Sequence, residues 1–406
     1  MARICLISCV SMKAGTKKKA SELYLSPLFK GAKEFAINNS DRWYILSAKY
    51  GLVSPESNIE PYDATLNKMT TENKRNWAKS VYRSLVRCTQ TDDEITFLAG
   101  ANYRKYLIPL LADRGNRVLT PMEGLSIGKQ LKWLKEQNNH TDRRKHLEEF
   151  YFLLRKLENI LGGKRVLSEC HGRMKWPERG VYFFFEPDEN RSLKPTEMRV
   201  VRVGTHMVSK GSKASFWKRL HTHRGTEDGR GNHRGSIFRL HVGKAMIQRS
   251  NGEVHVPTWG IGQSASAEVR KQEVGLEREV SKYLGKMLFL WLEVPDNPGP
   301  DSDRAYLERN SIGLLSGLGN PLDIHSKNWL GNFSSSEPIR KSGLWNINHV
   351  DCQYDSRFLQ ILENYIECTE GKYPLPTESI APEDWYPINK VKSSKEQMLL
   401  FHEGES

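Results

Sequence analysis

Thirteen consecutive residues, Glu136 to Glu148, hold one apolar side chain, Leu147, in the run Glu-Gln-Asn-Asn-His-Thr-Asp-Arg-Arg-Lys-His-Leu-Glu. A hydrophobic core cannot run through such a stretch, because unpaired polar groups cost roughly 2–7 kcal/mol each to bury. The 406 residues must therefore build a core on each side of it. The expected division is a domain over 1–137, a linker or exposed helix start over 138–148, a second domain over 149–368 and a tail over 369–406. Hydrophobic residues are 38% and aromatics 10%, which excludes disorder for most of the chain. No apolar run approaches the roughly 20 residues of a membrane span, and the N-terminus lacks a signal-peptide layout. The six cysteines are scattered without a Cys-x-x-Cys pair, which argues against a disulfide framework or a zinc cluster. A cytoplasmic protein with no membrane partner is expected.

The first 135 residues alternate between strand and helix patterns. Arg3–Val10 is a continuous apolar run suited to a buried parallel strand. Ser21–Ile37 has helical spacing, Trp43–Ser47 and Glu94–Ala99 read as further strands, and Trp77, Val81 and Leu85 mark a helix between them. This predicts an α/β domain with a mostly parallel sheet. Beyond the polar stretch, Leu147–Leu161 reads as a helix stopped by Gly162-Gly163. Gly180–Phe185 and Met198–Gly204 read as paired strands, Ser215–His223 as a helix, Ile237–Val242 as a strand and Ala305–Leu315 as a helix. The second domain is thus expected to be α+β, with a small antiparallel sheet plus insertions.

Charge is concentrated in that second domain. Residues 199–249 hold 12 Lys/Arg against Glu227 and Asp228, and five of the chain's 12 histidines. Aromatic residues interleave with the cations, which points to a polyanion, DNA above all. Lys210, Lys213, Lys218, Arg224 and Arg234 are the candidate phosphate contacts. The same block holds an ordered set of chemical groups. Tyr182 begins one strand, Arg202 lies near the end of the next with His206 just beyond, and Arg219 and His223 share a helix face four residues apart. Glu308 comes from a later helix. A phenol, guanidinium groups, imidazoles and a carboxylate are the parts of metal-assisted phosphodiester hydrolysis, with Glu308 as the metal ligand.

These residues resemble the GIY-YIG nucleases. Gly180-Val181-Tyr182 matches the first motif of that family, and Arg202-Val203-Gly204 matches the last two positions of the second. Phe216 to His223 looks like the family's Arg helix, and Tyr306-Leu-Glu308-Arg-Asn looks like its metal helix. The resemblance covers about residues 150–365. It implies a DNA endonuclease using Mg²⁺ or Mn²⁺, with Arg202 where the family has a second Tyr. It also implies a late Asn, for which Asn320 and Asn328 are the candidates.

In the first domain, polar loops follow the strands. They hold Lys49 and Tyr50, Tyr62 and Asp63, Tyr103, and Glu123, which together are suited to sandwiching a nucleobase and reading its edge. Cys9 reads as a small core residue. Leu46-Ser-Ala-Lys-Tyr-Gly-Leu-Val53 and Ile59-Glu-Pro-Tyr62 are similar to the YaaA-type peroxide-stress proteins over about 130 residues, which implies nucleic-acid or nucleobase handling. The leading reading is a restriction or defence endonuclease whose first domain selects the target, including a modified base. The alternatives are a glycosylase or base-exchange enzyme coupled to strand cleavage, and a DNA-binding protein with degenerate nuclease motifs.

Overall fold

The computed structural model describes residues 1–206, 215–226, 228–299, 301–376 and 378–385. Lys210 and Lys213 lie outside the described residues. The chain divides into two compact units, Met1–Arg143 and Arg144–Ser406.

The first unit is built on a mixed, mostly parallel sheet. Its strands are β1 (Arg3–Ser8), β2 (Arg42–Ser47), β3 (Gly51–Val53), β4 (Glu94–Leu98) and β5 (Arg117–Leu119), in the order β3-β2-β1-β4-β5. β1 pairs in parallel with β2 and β4, β4 with β5, and only β3 runs antiparallel. Ile4, Cys5, Leu6 and Ile7 of β1 are all buried, because helices cover both faces of a central parallel strand. The connections from β1 pass first to β2 on one side and later to β4 on the other. The carboxyl end of β1 is therefore a topological switch point, where open α/β sheets bind ligands. Helix α1 covers Pro27–Asn39 rather than starting at Ser21. Pro27 forces Ser26 into an extended conformation, and the Ser26 hydroxyl then caps the helix by accepting from the Phe29 N–H at 3.2 Å. Helices α2 (Thr71–Cys88) and α3 (Leu107–Asp113) complete the layers.

The polar stretch lies inside a 35-residue helix, α4 (Ile127–Leu161), not in a linker or at a helix start. Its residues are mostly good helix formers, and neither Gly nor Pro interrupts 129–161. Leu134 belongs to the core of the first unit, and Leu147, Phe150, Leu153, Leu154 and Leu157 to that of the second.

The second unit holds a four-stranded antiparallel sheet of β6 (Arg165–Val166), β7 (Gly180–Asn190), β8 (Met198–Thr205) and β9 (Leu288–Glu293), in the order β8-β7-β9-β6. The Phe183-Phe184-Phe185 run makes sense only in a strand buried on both faces. Val181, Phe183 and Phe185 join one core, which includes Tyr306 and Leu307 of helix α8 (Asp303–Leu315) and Leu362 of α9 (Phe358–Thr369). Tyr182 and Phe184 join the other, with Phe216 of helix α5 (Phe216–Arg224), Phe238 of α6 (Ile237–Arg249) and Val280 of α7 (Ala267–Gly285). Ile237–Val242 was expected to be a strand and is instead the first half of α6. Ser236 caps it, and Phe238, Val242 and Ala245 continue at helical spacing beyond the short window that suggested a strand.

Strand β8 lies at the sheet edge, and residues 343–346 cover it. The Trp345 N–H donates to the Val201 carbonyl at 2.8 Å. The Asn346 side chain accepts from the Val203 N–H at 3.1 Å and donates to the Val203 carbonyl at 2.8 Å. An otherwise open edge is thereby satisfied.

Candidate active site

The pairing of β7 with β8 sets Tyr182 opposite Gly204 and Phe184 opposite Arg202. Residues opposite one another share a face, so Tyr182 and Arg202 project to the same side. A bulge between Val200 and Arg202 increases the local twist and helps aim the guanidinium. Two glycines shape this pocket. A Cβ at Gly204 would fall on the Tyr182 ring and hydroxyl, well under 3.0 Å away, so only glycine lets the phenol lie flat across β8. A Cβ at Gly180 would strike the Leu292 carbonyl of β9.

Helix α5 supplies the next two groups. Ser215 caps it, and Arg219 and His223 fall on one face, turned toward the sheet. His223 is fully buried, its Nε2 3.0 Å from the Tyr182 hydroxyl and its Nδ1 2.8 Å from the Ser236 Oγ. Burial, helped by Arg219, Arg202 and Arg239, holds His223 well below the ordinary imidazole range, so it is neutral at pH 7. Tyr182, His223 and Ser236 thus form a continuous hydrogen-bonded chain. Arg239 braces it from behind: its guanidinium donates to the His223 carbonyl at 2.9 Å and pairs with the buried Glu277.

Arg219 and Arg202 both lie against the Tyr182 hydroxyl. The Tyr182 oxygen, aided by the Glu308 carboxylate, holds the Arg219 guanidinium above its ordinary range against the effect of burial. Arg202 donates to the Trp345 carbonyl at 2.7 Å and lies 4.7 Å from the centre of the Phe238 ring, and its buried Nε has no partner among the described residues. Burial lowers its guanidinium from the usual value. Glu308, on α8, faces the same two arginines. Burial pushes its carboxyl up to about 7, although Arg202, Arg219 and the Thr205 backbone N–H pull it down. An anion so poorly accommodated is suited to a bound cation. Among the described residues no three His, Cys, Asp or Glu gather as a metal cage. A single carboxylate fits a hard cation such as Mg²⁺, which takes most of its ligands from water and substrate phosphates.

His206 stands beside this group. Its Nε2 is 3.0 Å from the Glu178 carbonyl, its buried Nδ1 has no partner among the described residues, and burial takes it down to about 4. Of the candidate phosphate contacts, Lys218 is exposed and Arg224 partly so. Arg234 is not a surface cation. It is buried in a two-pronged ion pair with Glu273, at 2.6 and 2.8 Å, so its charge is already spent inside the fold. Asn320 and Asn328 are both exposed. A buried asparagine, Asn346, holds the backbone of Val203, the neighbour of Arg202, and follows Arg202's acceptor Trp345 in the sequence Leu-Trp-Asn-Ile-Asn. Ser236 also escaped sequence reasoning, because it precedes a segment that reads there as a strand, and its place beside His223 is set by the fold.

In the first unit, Tyr62 sits at the switch point. Its hydroxyl is 2.9 Å from that of Tyr24 and 2.7 Å from the Ser47 Oγ, and Tyr50 meets its ring edge-on at 5.4 Å. Lys49 lies 5.0 Å from the Tyr50 ring centre, and Lys13 lies 4.4 Å from that of Tyr62. Tyr103 offers no open face for stacking: it is buried, packs edge-on against Trp77, and its hydroxyl is 3.0 Å from the Cys9 Sγ. Asp63 is exposed, and Glu123 is held by Arg104 and by the Thr120 hydroxyl.

Comparison with known proteins agrees with the division into units. A family of unknown function (DUF6884) matches residues 4–136. The uncharacterized protein YfjM of Bacillus subtilis (strain 168) is 26% identical over 126 residues, covering 28% of this chain and 79% of the relative. No solved structure matches. The GIY-YIG domain matches residues 141–372, more than half of the chain, and this stretch contains every member of the Tyr182–Glu308 cluster. The chain belongs to the GIY-YIG family, and its second unit is a nuclease domain.

Proposed function

We propose that this protein is a metal-dependent DNA endonuclease of restriction or defence type, in which the first unit selects the target and the Tyr182–Glu308 cluster cuts it. The observation that carries the reading is the Tyr182 hydroxyl, held 3.0 Å from a neutral buried imidazole and flanked by two arginines, with a carboxylate beyond them. The Tyr182 hydroxyl orients the attacking water and, as it takes a proton from that water, passes its own proton to the neutral His223 Nε2, whose Nδ1–H donates to the Ser236 Oγ. Arg219 and Arg202 stabilise the additional negative charge on the phosphate as the nucleophile adds. Glu308 would hold Mg²⁺ or Mn²⁺, which supplies positive charge at the leaving oxygen. Arg202 stands in for the family's second tyrosine as a phosphate ligand, and neutral His206 is placed to receive or return a proton.

Target selection by the first unit is supported by Tyr50, Tyr62 and Lys49 at the strand ends, which suit a stacked base and its phosphate. The test is incubation of the full chain with plasmid DNA and with base-modified phage DNA, in Mg²⁺, Mn²⁺ or EDTA. Scission that needs the metal and differs between the two DNAs is expected. Cleavage in EDTA, or release of a free base before scission, would overturn the assignment.

A further inference from the structure

Helix α5 carries a second pair of side chains four residues apart. Trp217 and His221 lie on the face opposite Arg219 and His223, since two residues along a helix turn the side chain by roughly 200°. The Trp217–His221 face lines a cleft of ≈ 530 Å³, walled also by His171, Gly172, Arg224, Thr226, Asp228 and Arg230, with the Asp228 carboxylate paired to the Arg230 guanidinium. That volume is within the roughly 300–1,000 Å³ of small-molecule sites. Trp176 stacks on Trp217 with ring centres 5.4 Å apart and 12° between planes, which fixes the indole in place. The Trp176 Nε1–H donates to the His171 carbonyl at 3.0 Å and so ties down the cleft's outer wall. Both tryptophans are only partly buried. Gly172 is required for this arrangement, because a Cβ there would stand 2.8 Å from the Trp217 Nε1. Contacts continue from the cleft to the phenol, through Trp176 and Phe216 to Tyr182.

We propose that this cleft binds an unpaired nucleobase of the DNA strand being cut, with Trp217 and His221 as its stacking surface and Arg224 on a flanking phosphate. A partly exposed aromatic surface among cations matches single-strand recognition, where rings stack on bases and basic groups follow the backbone. A binding site for phosphate alone would have no use for the indoles. The cleft lies about one helix width from the Tyr182 cluster, roughly 10–12 Å. That distance spans about three nucleotides at the roughly 3.4 Å per nucleotide of a duplex strand. The inference rests on the nuclease reading for the identity of the strand. It adds a preference for DNA with an overhang, flap or flipped base over a fully paired duplex.

The test uses the full chain in EDTA and measures binding of a labelled duplex with a short single-stranded overhang against a blunt duplex of the same length. Wild type should favour the overhang. Trp217→Ala should lower overhang affinity by roughly 5- to 150-fold and blunt affinity much less, while Trp217→Phe keeps most of the preference. Gly172→Val, which fills the cleft, should act like Trp217→Ala. Should either variant misfold by circular dichroism, His221→Ala, at an exposed position, serves in its place with the same direction of change. An overhang-to-blunt ratio that is one in the wild type, or that none of these variants changes, overturns the cleft. The same DNAs with Mg²⁺ separate the two readings: a Trp217-dependent preference without cutting sinks the nuclease assignment and leaves the cleft, and cutting without that preference does the reverse.

Discussion

Replacing Glu308 by Gln should abolish cleavage and, at high pH, make the fold more stable. Burial raises the Glu308 carboxyl from about 4.5 to about 7, even with two arginines nearby. Between those values the folded chain holds a proton that the unfolded chain has released. Stability therefore falls as pH rises through that window, and the loss is complete above pH 7. At 1.36 kcal/mol per pH unit the loss reaches about 3 kcal/mol. Glu308 is only partly shielded from solvent, so screening reduces the expected value to about 1–3 kcal/mol. Gln has no charge to desolvate. Glu308→Gln should then match wild type near pH 4.5 and exceed it by that amount above pH 8. The assay is urea unfolding followed by tryptophan fluorescence, in EDTA, at both pH values. Seven of the ten tryptophans lie in the second unit and report its transition. Mg²⁺ or Mn²⁺ should restore stability to wild type at high pH and do nothing for the variant. A variant less stable than wild type above pH 8, or one that still cuts, would show that Glu308 is a structural ion-pair partner and not a cation ligand.

Tyr182→Phe should keep the fold and lose at least roughly 10²-fold in cleavage rate, and Arg219→Ala should lose as much; near-native rates in both would move the reaction elsewhere. Gly204→Ala should displace the Tyr182 ring, unfolding earlier than wild type and losing activity together, and a crystal structure with the phenol unmoved would refute the packing argument. Arg234→Ala should destabilise by about 3–5 kcal/mol by stranding buried Glu273, while leaving the salt dependence of DNA binding unaltered; Lys218→Ala should do the opposite, reducing the slope of log affinity against log salt by about 0.9 per lost phosphate contact. Tyr50→Ala, at an exposed position, should reduce discrimination between modified and unmodified DNA with little effect on the melting temperature, and unchanged discrimination would remove the first unit from target choice.

Much of this was legible along the chain, and what was not has identifiable causes. A short continuous apolar run suits a strand covered on both faces, so Arg3–Val10 announced a parallel sheet. Gly180–Phe185 and Met198–Gly204 announced a hairpin, whose burial on both faces only the structure shows. Order along the chain, Tyr182 then Arg202 then Arg219 then Glu308, carried the resemblance to the GIY-YIG family, and the structure brings these four side chains, each from its own element, into one cluster. The i, i+4 spacing of Arg219 and His223 put both on one face without any tertiary knowledge. Charge, by contrast, misled where burial decides its role: Arg234 reads like Lys218 in a list of cations, yet Glu273, 39 residues away, neutralises it inside the fold. Polarity misled in the same way over 138–148, since a polar stretch and a solvated helix face look alike until the neighbouring turns are seen to pack. Asn346 and Ser236 could not be chosen in advance, because their places are set by hydrogen bonds to Val203 and His223, 143 and 13 positions distant. Local composition and periodicity determine which segments become strands and helices and which chemical groups are present. Only the tertiary structure decides which of those groups are desolvated, and desolvation holds His223 neutral and raises Glu308 to about 7 beside two arginines.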